Sequence, residues 1–141
     1  MSTRSHIGVR NTNGTIDYIY CHFDGYPEYN GKILVEHYQD MDKVNALMKL
    51  GDLSSLDKEI GEKHSFDNRV RGWCHAYGRD REEYSGTSVT TSTFQDLLSN
   101  DNVDYLYVYE DEFWNCYNTT TKKQINLIHF LDTFLVNQTK L

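Results

Sequence analysis

The pair Asn13-Gly14, set between two stretches of alternating residues, constrains this chain more than any other feature. Asn-Gly favours a two-residue type I′ turn, whose twist suits a pair of antiparallel strands. Residues 4–23 therefore read as a β-hairpin. A turn centred on that pair sets Arg10 opposite Asp17, Val9 opposite Tyr18, Ile7 opposite Tyr20, His6 opposite Cys21 and Ser5 opposite His22. In this register Ile7, Val9, Tyr18 and Tyr20 share one face, and His6, Gly8, Ile19 and Cys21 the other. Gly8, opposite Ile19, leaves room for another backbone to come close.

Asp24-Gly25 and Pro27, the one proline, break the second strand. Asn30 is placed to cap a helix carrying Ile33 and Leu34. A second helix begins at Asp42, carries Val44, Leu47 and Met48, and stops at Gly51. Leu53, Leu56 and Ile60 have helical spacing and predict a helix over residues 52–60. Residues 61–92 lack periodicity, which in a connection of that length points to function or mobility. Ser92 or Thr93 caps a short helix through Leu98. Val103–Tyr109 and Phe113–Tyr117 form a second hairpin turned at Glu110-Asp111-Glu112, and residues 127–135 an amphipathic helix. At 141 residues, with no repeat or linker, the chain reads as one α+β domain over residues 1–141. The expected architecture is an antiparallel sheet of two hairpins with three to four helices packed on one face.

Charge narrows the partners. A formal net charge of −7 argues against binding duplex DNA, which needs a basic surface. Residues 1–81 hold eleven Lys/Arg against twelve Asp/Glu, and residues 82–141 three against nine. All six arginines lie in the first part, so an anion site belongs there and a cation-seeking face on the second. No apolar run approaches the ~20 residues a bilayer requires, and no secretory leader opens the chain, so no membrane partner is expected. Cys21, Cys74 and Cys116 have no CxxC spacing and suit reduced thiols in a cytoplasm.

Three constellations bear on chemistry. The hairpin register puts Ser5 beside His22, with Asp24 two residues on. An orienting carboxylate so close to its base is awkward to aim, and no nucleophile elbow surrounds Ser5, so a cross-strand polar pair is the better reading. His6 with Cys21, His22, His37, His64 and the Cys74-His75 pair are zinc-type donors, but their spacing is not that of zinc sites and no metal or other cofactor is expected. The stretch containing Arg69, Arg71, Trp73, His75, Tyr77 and Arg79 is more persuasive. Guanidinium groups fork onto phosphates and rings stack on bases, a combination that holds nucleotides. Arg4, at the open end of the hairpin, and His22, Asp24 and Tyr26 complete this candidate ligand site. Tyr26, Tyr29 and Tyr38 with Tyr105, Tyr107, Tyr109, Trp114 and Tyr117 make an aromatic stripe suited to a core or a subunit interface, so a homo-oligomer is expected.

The opening Met1-Ser-Thr-Arg-Ser-His-Ile-Gly8, then Tyr20-Cys-His-Phe-Asp-Gly-Tyr-Pro27, Gly31-Lys-Ile-Leu-Val-Glu-His-Tyr38 and Gly51-Asp-Leu-Ser-Ser-Leu56, resembles a family of small bacteriophage and prophage proteins. Its members mostly carry no assigned function, and no catalytic residues come with it. The resemblance implies a phage accessory protein acting in the cytoplasm of an infected bacterium, on host machinery or host defence. With the arginine-rich middle, the expectation is a binding protein that sequesters a phosphorylated small ligand such as a nucleotide immune signal. The alternatives are an acidic inhibitor of a host protein acting through Glu110-Asp111-Glu112, and a small hydrolase using His22 and Asp24 with His37 or His64.

Overall fold

A computed structural model describes residues 2–127. Its strands are β1 (Ser5–Arg10), β2 (Ile16–Cys21), β3 (Leu53–Ser55), β4 (His75–Ala76), β5 (Thr90–Ser92), β6 (Tyr105–Glu110), β7 (Phe113–Asn118) and β8 (Gln124–Ile125). The helices are α1 (Lys32–His37), entered through a wide π-type turn over Pro27–Gly31, α2 (Met41–Leu50), α3 (Tyr77–Arg81) and α4 (Phe94–Leu98). The expected helix over residues 127–135 lies, beyond Leu127, outside the described residues.

The first hairpin forms, with a register one residue away from the expected one. Gly14 N–H donates to the Asn11 carbonyl at 3.0 Å, Asn11 N–H to the Thr15 carbonyl at 2.7 Å, and Gly14 takes φ +91°. This is a three-residue loop, a type I turn closed by glycine in a left-handed conformation, rather than a two-residue I′ turn. The one-residue difference exchanges the faces of β2. Ser5 now faces Cys21, Ile7 faces Ile19, Gly8 faces Tyr18 and Arg10 faces Ile16. The expected Arg10–Asp17 and Ser5–His22 pairs are therefore absent. Arg10 instead meets Glu110 on β6 at 2.9 Å, and Asp17 accepts from Asn11 and Thr91.

The sheet runs β4-β3-β2-β1-β6-β7-β8, with β5 also on the β2 edge. It is mixed rather than wholly antiparallel. Residues 5–9 of β1 pair in parallel with residues 105–109 of β6, which joins the two hairpins, and β2 pairs in parallel with β3 at Cys21 and Leu53. Nor do the helices keep to one face. Ile7, Ile19, Leu34, Leu47, Leu53 and Tyr107 form the core beneath α1 and α2. Ile16, Leu97, Leu106 and Val108 form a smaller one beneath α4. Tyr38, Tyr107, Tyr109 and Trp114 are buried inside the chain, so half of the aromatic stripe is core, while Tyr26, Tyr29, Tyr105 and Tyr117 are half-buried.

Two local expectations give way to tertiary structure. Residues 52–60 form no helix; Leu53, Ser54, Ser55 and Leu56 are all buried, which one face of a surface helix does not allow. The segment pairs with the open β2 edge, and the Asp52 carboxylate accepts the Tyr20 N–H at 2.9 Å. Asn30 caps no helix. It lies fully buried in the π-type turn, its amide Nδ2 3.4 Å from both Ser5 Oγ and Cys21 Sγ. By contrast α2 starts on Asp40, whose side chain accepts from Lys43 N, and α4 on Thr93, which accepts from Asp96 N. Among the described residues no helix is long and apolar enough to cross a membrane.

Candidate functional site

The β2–β3 crossing sets the site's first half. His22 N–H donates to the Leu53 carbonyl and Phe23 N–H to the Ser54 carbonyl, each at 3.0 Å. These bonds hold His22 and the exposed Phe23 just past the end of β2. The His22 ring lies edge-on to Phe23 at 4.6 Å, its Nδ1 is 2.7 Å from the Tyr20 hydroxyl, and its Nε2 is 3.3 Å from Ser2 Oγ. Arg69 reaches across from the long loop. Its guanidinium stands 5.6 Å from the Phe23 ring centre and donates to Ser54 Oγ at 3.2 Å.

Beyond Ser54, Phe66 stacks between His75 at 4.3 Å and Tyr77 at 5.7 Å. The Arg81 guanidinium stands 5.1 Å from Phe66 and 5.4 Å from Tyr77. The result is a surface of rings, Phe23, Phe66 and Tyr77, each touched by an exposed guanidinium. Arg81 also pairs with Glu83 at 2.6 Å. Among the described residues the guanidinium groups of Arg4, Arg69 and Arg71 meet no carboxylate. Burial pushes the phenols of Tyr20 and Tyr77 above their ordinary range, so both remain donors at neutral pH.

A buried clasp shapes the loop behind this surface. Arg79 donates to both oxygens of Asp80 at 2.9 and 3.1 Å, and to the carbonyls of Ile60 and Cys74, each at 2.8 Å. Burial alone would raise the Asp80 carboxyl; Arg79 and the backbone N–H groups of Ala76 and His64 hold it below the usual range. Arg79, expected as a ligand contact, is thus an internal anchor with most of its N–H donors engaged. His75 is also interior, 1% exposed, with burial lowering its imidazole below the ordinary value.

The remaining expected residues separate into two groups. His22, Arg69 and Tyr77 come together at the ring surface. Arg4 lies close enough to Tyr20 to act on its hydroxyl electrostatically. Asp24 and Tyr26 bond to each other at 3.3 Å, so His22 and Asp24 do not form the acid–base pair a hydrolase would use. Trp73 packs its ring 5.7 Å from His64, behind the surface, and Arg71 is exposed on the loop. Phe23, Ser54 and Phe66 were not expected, although both rings lie in stretches already singled out; Arg81 closes the arginine-rich stretch that begins at Arg69. Ser5, fully buried against Asn30, has no access to His22.

A second, separate feature is an open depression of about 1250 Å³ at the opposite end of the sheet. Val9, Val35, Tyr109 and Trp114 line it, and Asp40, Asp111 and Glu112 stand on its rim. Comparison with family models, curated proteins and solved structures returns no match.

Proposed function

We propose that this chain is a binding protein that captures a phosphorylated small ligand, of the nucleotide class, on the Phe23–Arg69–Tyr77–Phe66–Arg81 surface. The observation that carries this reading is Arg69. On a chain of net charge −7 its exposed guanidinium meets no carboxylate among the described residues and is held over an aromatic ring. Such a pair offers a fork for phosphate and a face for a base. Together with the bacteriophage resemblance, this favours sequestration of a nucleotide signal in an infected bacterium over catalysis.

Calorimetry against mononucleotides, cyclic dinucleotides and ADP-ribose derivatives tests it. At least one ligand is expected to bind and to stabilise the fold by mass action. Arg69→Gln is expected to weaken that ligand at least roughly tenfold, the scale of one charge-assisted hydrogen bond. Binding by none of them removes the reading.

A second reading rests on the β6–β7 turn, where Asp111 and Glu112 are exposed and Phe113 is 72% exposed. A large ring beside two free carboxylates suits a basic protein partner. If the host target is engaged there, reversal of Asp111 and Glu112 to Lys abolishes the complex and leaves nucleotide binding intact. A subunit interface would draw on such exposed groups or on the half-buried Tyr26, Tyr29, Tyr105 and Tyr117, since Tyr38, Tyr107, Tyr109 and Trp114 are core.

A further inference from the structure

His64 and His75 face each other behind the ring surface, and their hydrogen bonds decide where their protons lie. His64 Nδ1 is 2.8 Å from the Glu62 carbonyl, and His75 Nε2 is 2.8 Å from the Phe66 carbonyl. A carbonyl only accepts, so each of these nitrogens carries the proton of its neutral ring. The other two nitrogens, His64 Nε2 and His75 Nδ1, are then both lone pairs, and they stand 3.0 Å apart. Two lone pairs opposed at that distance, with the His64 side chain 7% exposed and His75 1% exposed, repel unless a cation lies between them.

We propose that a divalent transition-metal ion of the zinc, cobalt or nickel class binds between His64 Nε2 and His75 Nδ1, with Asp80 positioning His64 from behind. Metal–imidazole bonds of about 2.0–2.1 Å set two ligating nitrogens about 2.9 Å apart at a right angle and about 3.3 Å apart in a tetrahedron. The observed separation falls inside that interval. The outer contacts are those of metal-ligating histidines, which give their second N–H to a carbonyl or a carboxylate. Both rings do so here, and His64 Nδ1 is also 3.4 Å from Asp80 Oδ1. Donor atoms of His64, His75 and Asp80 all lie within 4.8 Å of one another. Asp80 already accepts from Arg79, Ala76 N and His64 N, which makes it a positioning carboxylate rather than a ligand. Water or an exchangeable ligand takes the remaining coordination positions. The sequence hid this pair because the two histidines are eleven residues apart and come together only when the loop folds back on β4. The proposal does not depend on nucleotide capture.

The test uses the full chain, stripped with chelator and titrated with Zn²⁺ by calorimetry and with Co²⁺ by visible absorption. One ion per chain is expected, with ligand-field bands of cobalt–imidazole coordination. Affinity should fall at least tenfold in His64→Ala and in His75→Gln, and be unchanged in His37→Ala. Because a change at buried His75 can unfold the chain, ¹⁵N spectra of the wild-type imidazoles give a second readout. Zn²⁺ should move His64 Nε2 and His75 Nδ1 while their partner N–H protons stay in place. Absence of binding, one ion per chain retained in both variants, or Zn²⁺ shifts confined to other histidines would each overturn the assignment. So would ¹⁵N spectra in which the pair shares one proton and does not respond to metal.

Discussion

Asp111 and Glu112 occupy φ +52° and +69° in the two-residue turn that pairs Glu110 with Phe113. Both central positions of such a turn favour Asn, Asp or Gly, and a left-handed conformation at Glu112 is strained by roughly 1 kcal/mol. Glu112→Gly is therefore expected to raise stability by about 1 kcal/mol in urea unfolding, despite the lost side chain. His6 carries a different kind of strain. Burial beside Tyr18 and Tyr20 lowers its imidazole from 6.5 to about 4. The unfolded chain takes up the proton first as pH falls, so this contribution is complete above about pH 6.5 and is lost progressively toward pH 4. The loss reaches about 3 kcal/mol, and unfolding of His6→Phe should be flatter over the same window. The thiols give a third check. Cys21 and Cys116 are buried and pushed up to about 12, and Cys74 is raised as well. None should react with a thiol reagent at neutral pH until denaturant is added.

At the scale of elements, β2 governs the rest, because both its edges are paired and one edge creates the site. Gly8 on β1 shows how closely the strands sit. A Cβ there would come within 2.6 Å of Ile16 Cγ2 and 2.7 Å of the Asp17 carbonyl oxygen. Gly8→Ala is expected to destabilise the fold by about 1–3 kcal/mol in the same unfolding assay, since strand backbone cannot yield as a side chain can. The glycine was legible as a point of close approach, and what approaches it is β2 itself. The turns of the hairpins, the Thr93 helix start and the Gly51 stop were legible too, because caps, turns and alternation act over a few residues; the start of α2 was read at Asp42, two residues past the Asp40 that caps it. The β1–β6 pairing joins residues a hundred apart and leaves no local trace. Residues 52–60 deceived for the related reason that a vacant strand edge outweighs a weak helical preference. In the site, the types of His22, Arg69 and Tyr77 could be read directly. Their meeting around Ser54 depends on β3 being a strand, which local spacing argued against.

Across the whole molecule, charge and shape differ between two ends of one sheet. The ring surface gathers arginines from the first part, which holds all six, while the depression near Trp114 is lined by Asp40, Asp111 and Glu112. If both proposed readings hold, anions and cationic partners would be steered to different places on the same small domain. The most direct measurement is a backbone and arginine-side-chain ¹H–¹⁵N titration of the full chain with the nucleotide that calorimetry ranks tightest. Shifts should gather at His22, Phe23, Ser54, Phe66, Tyr77 and the Arg69 guanidinium, and leave Tyr109 and Trp114 unmoved. Shifts centred on the Trp114 depression, or none at saturating ligand, would contradict ligand capture by the rings and guanidinium groups around Ser54.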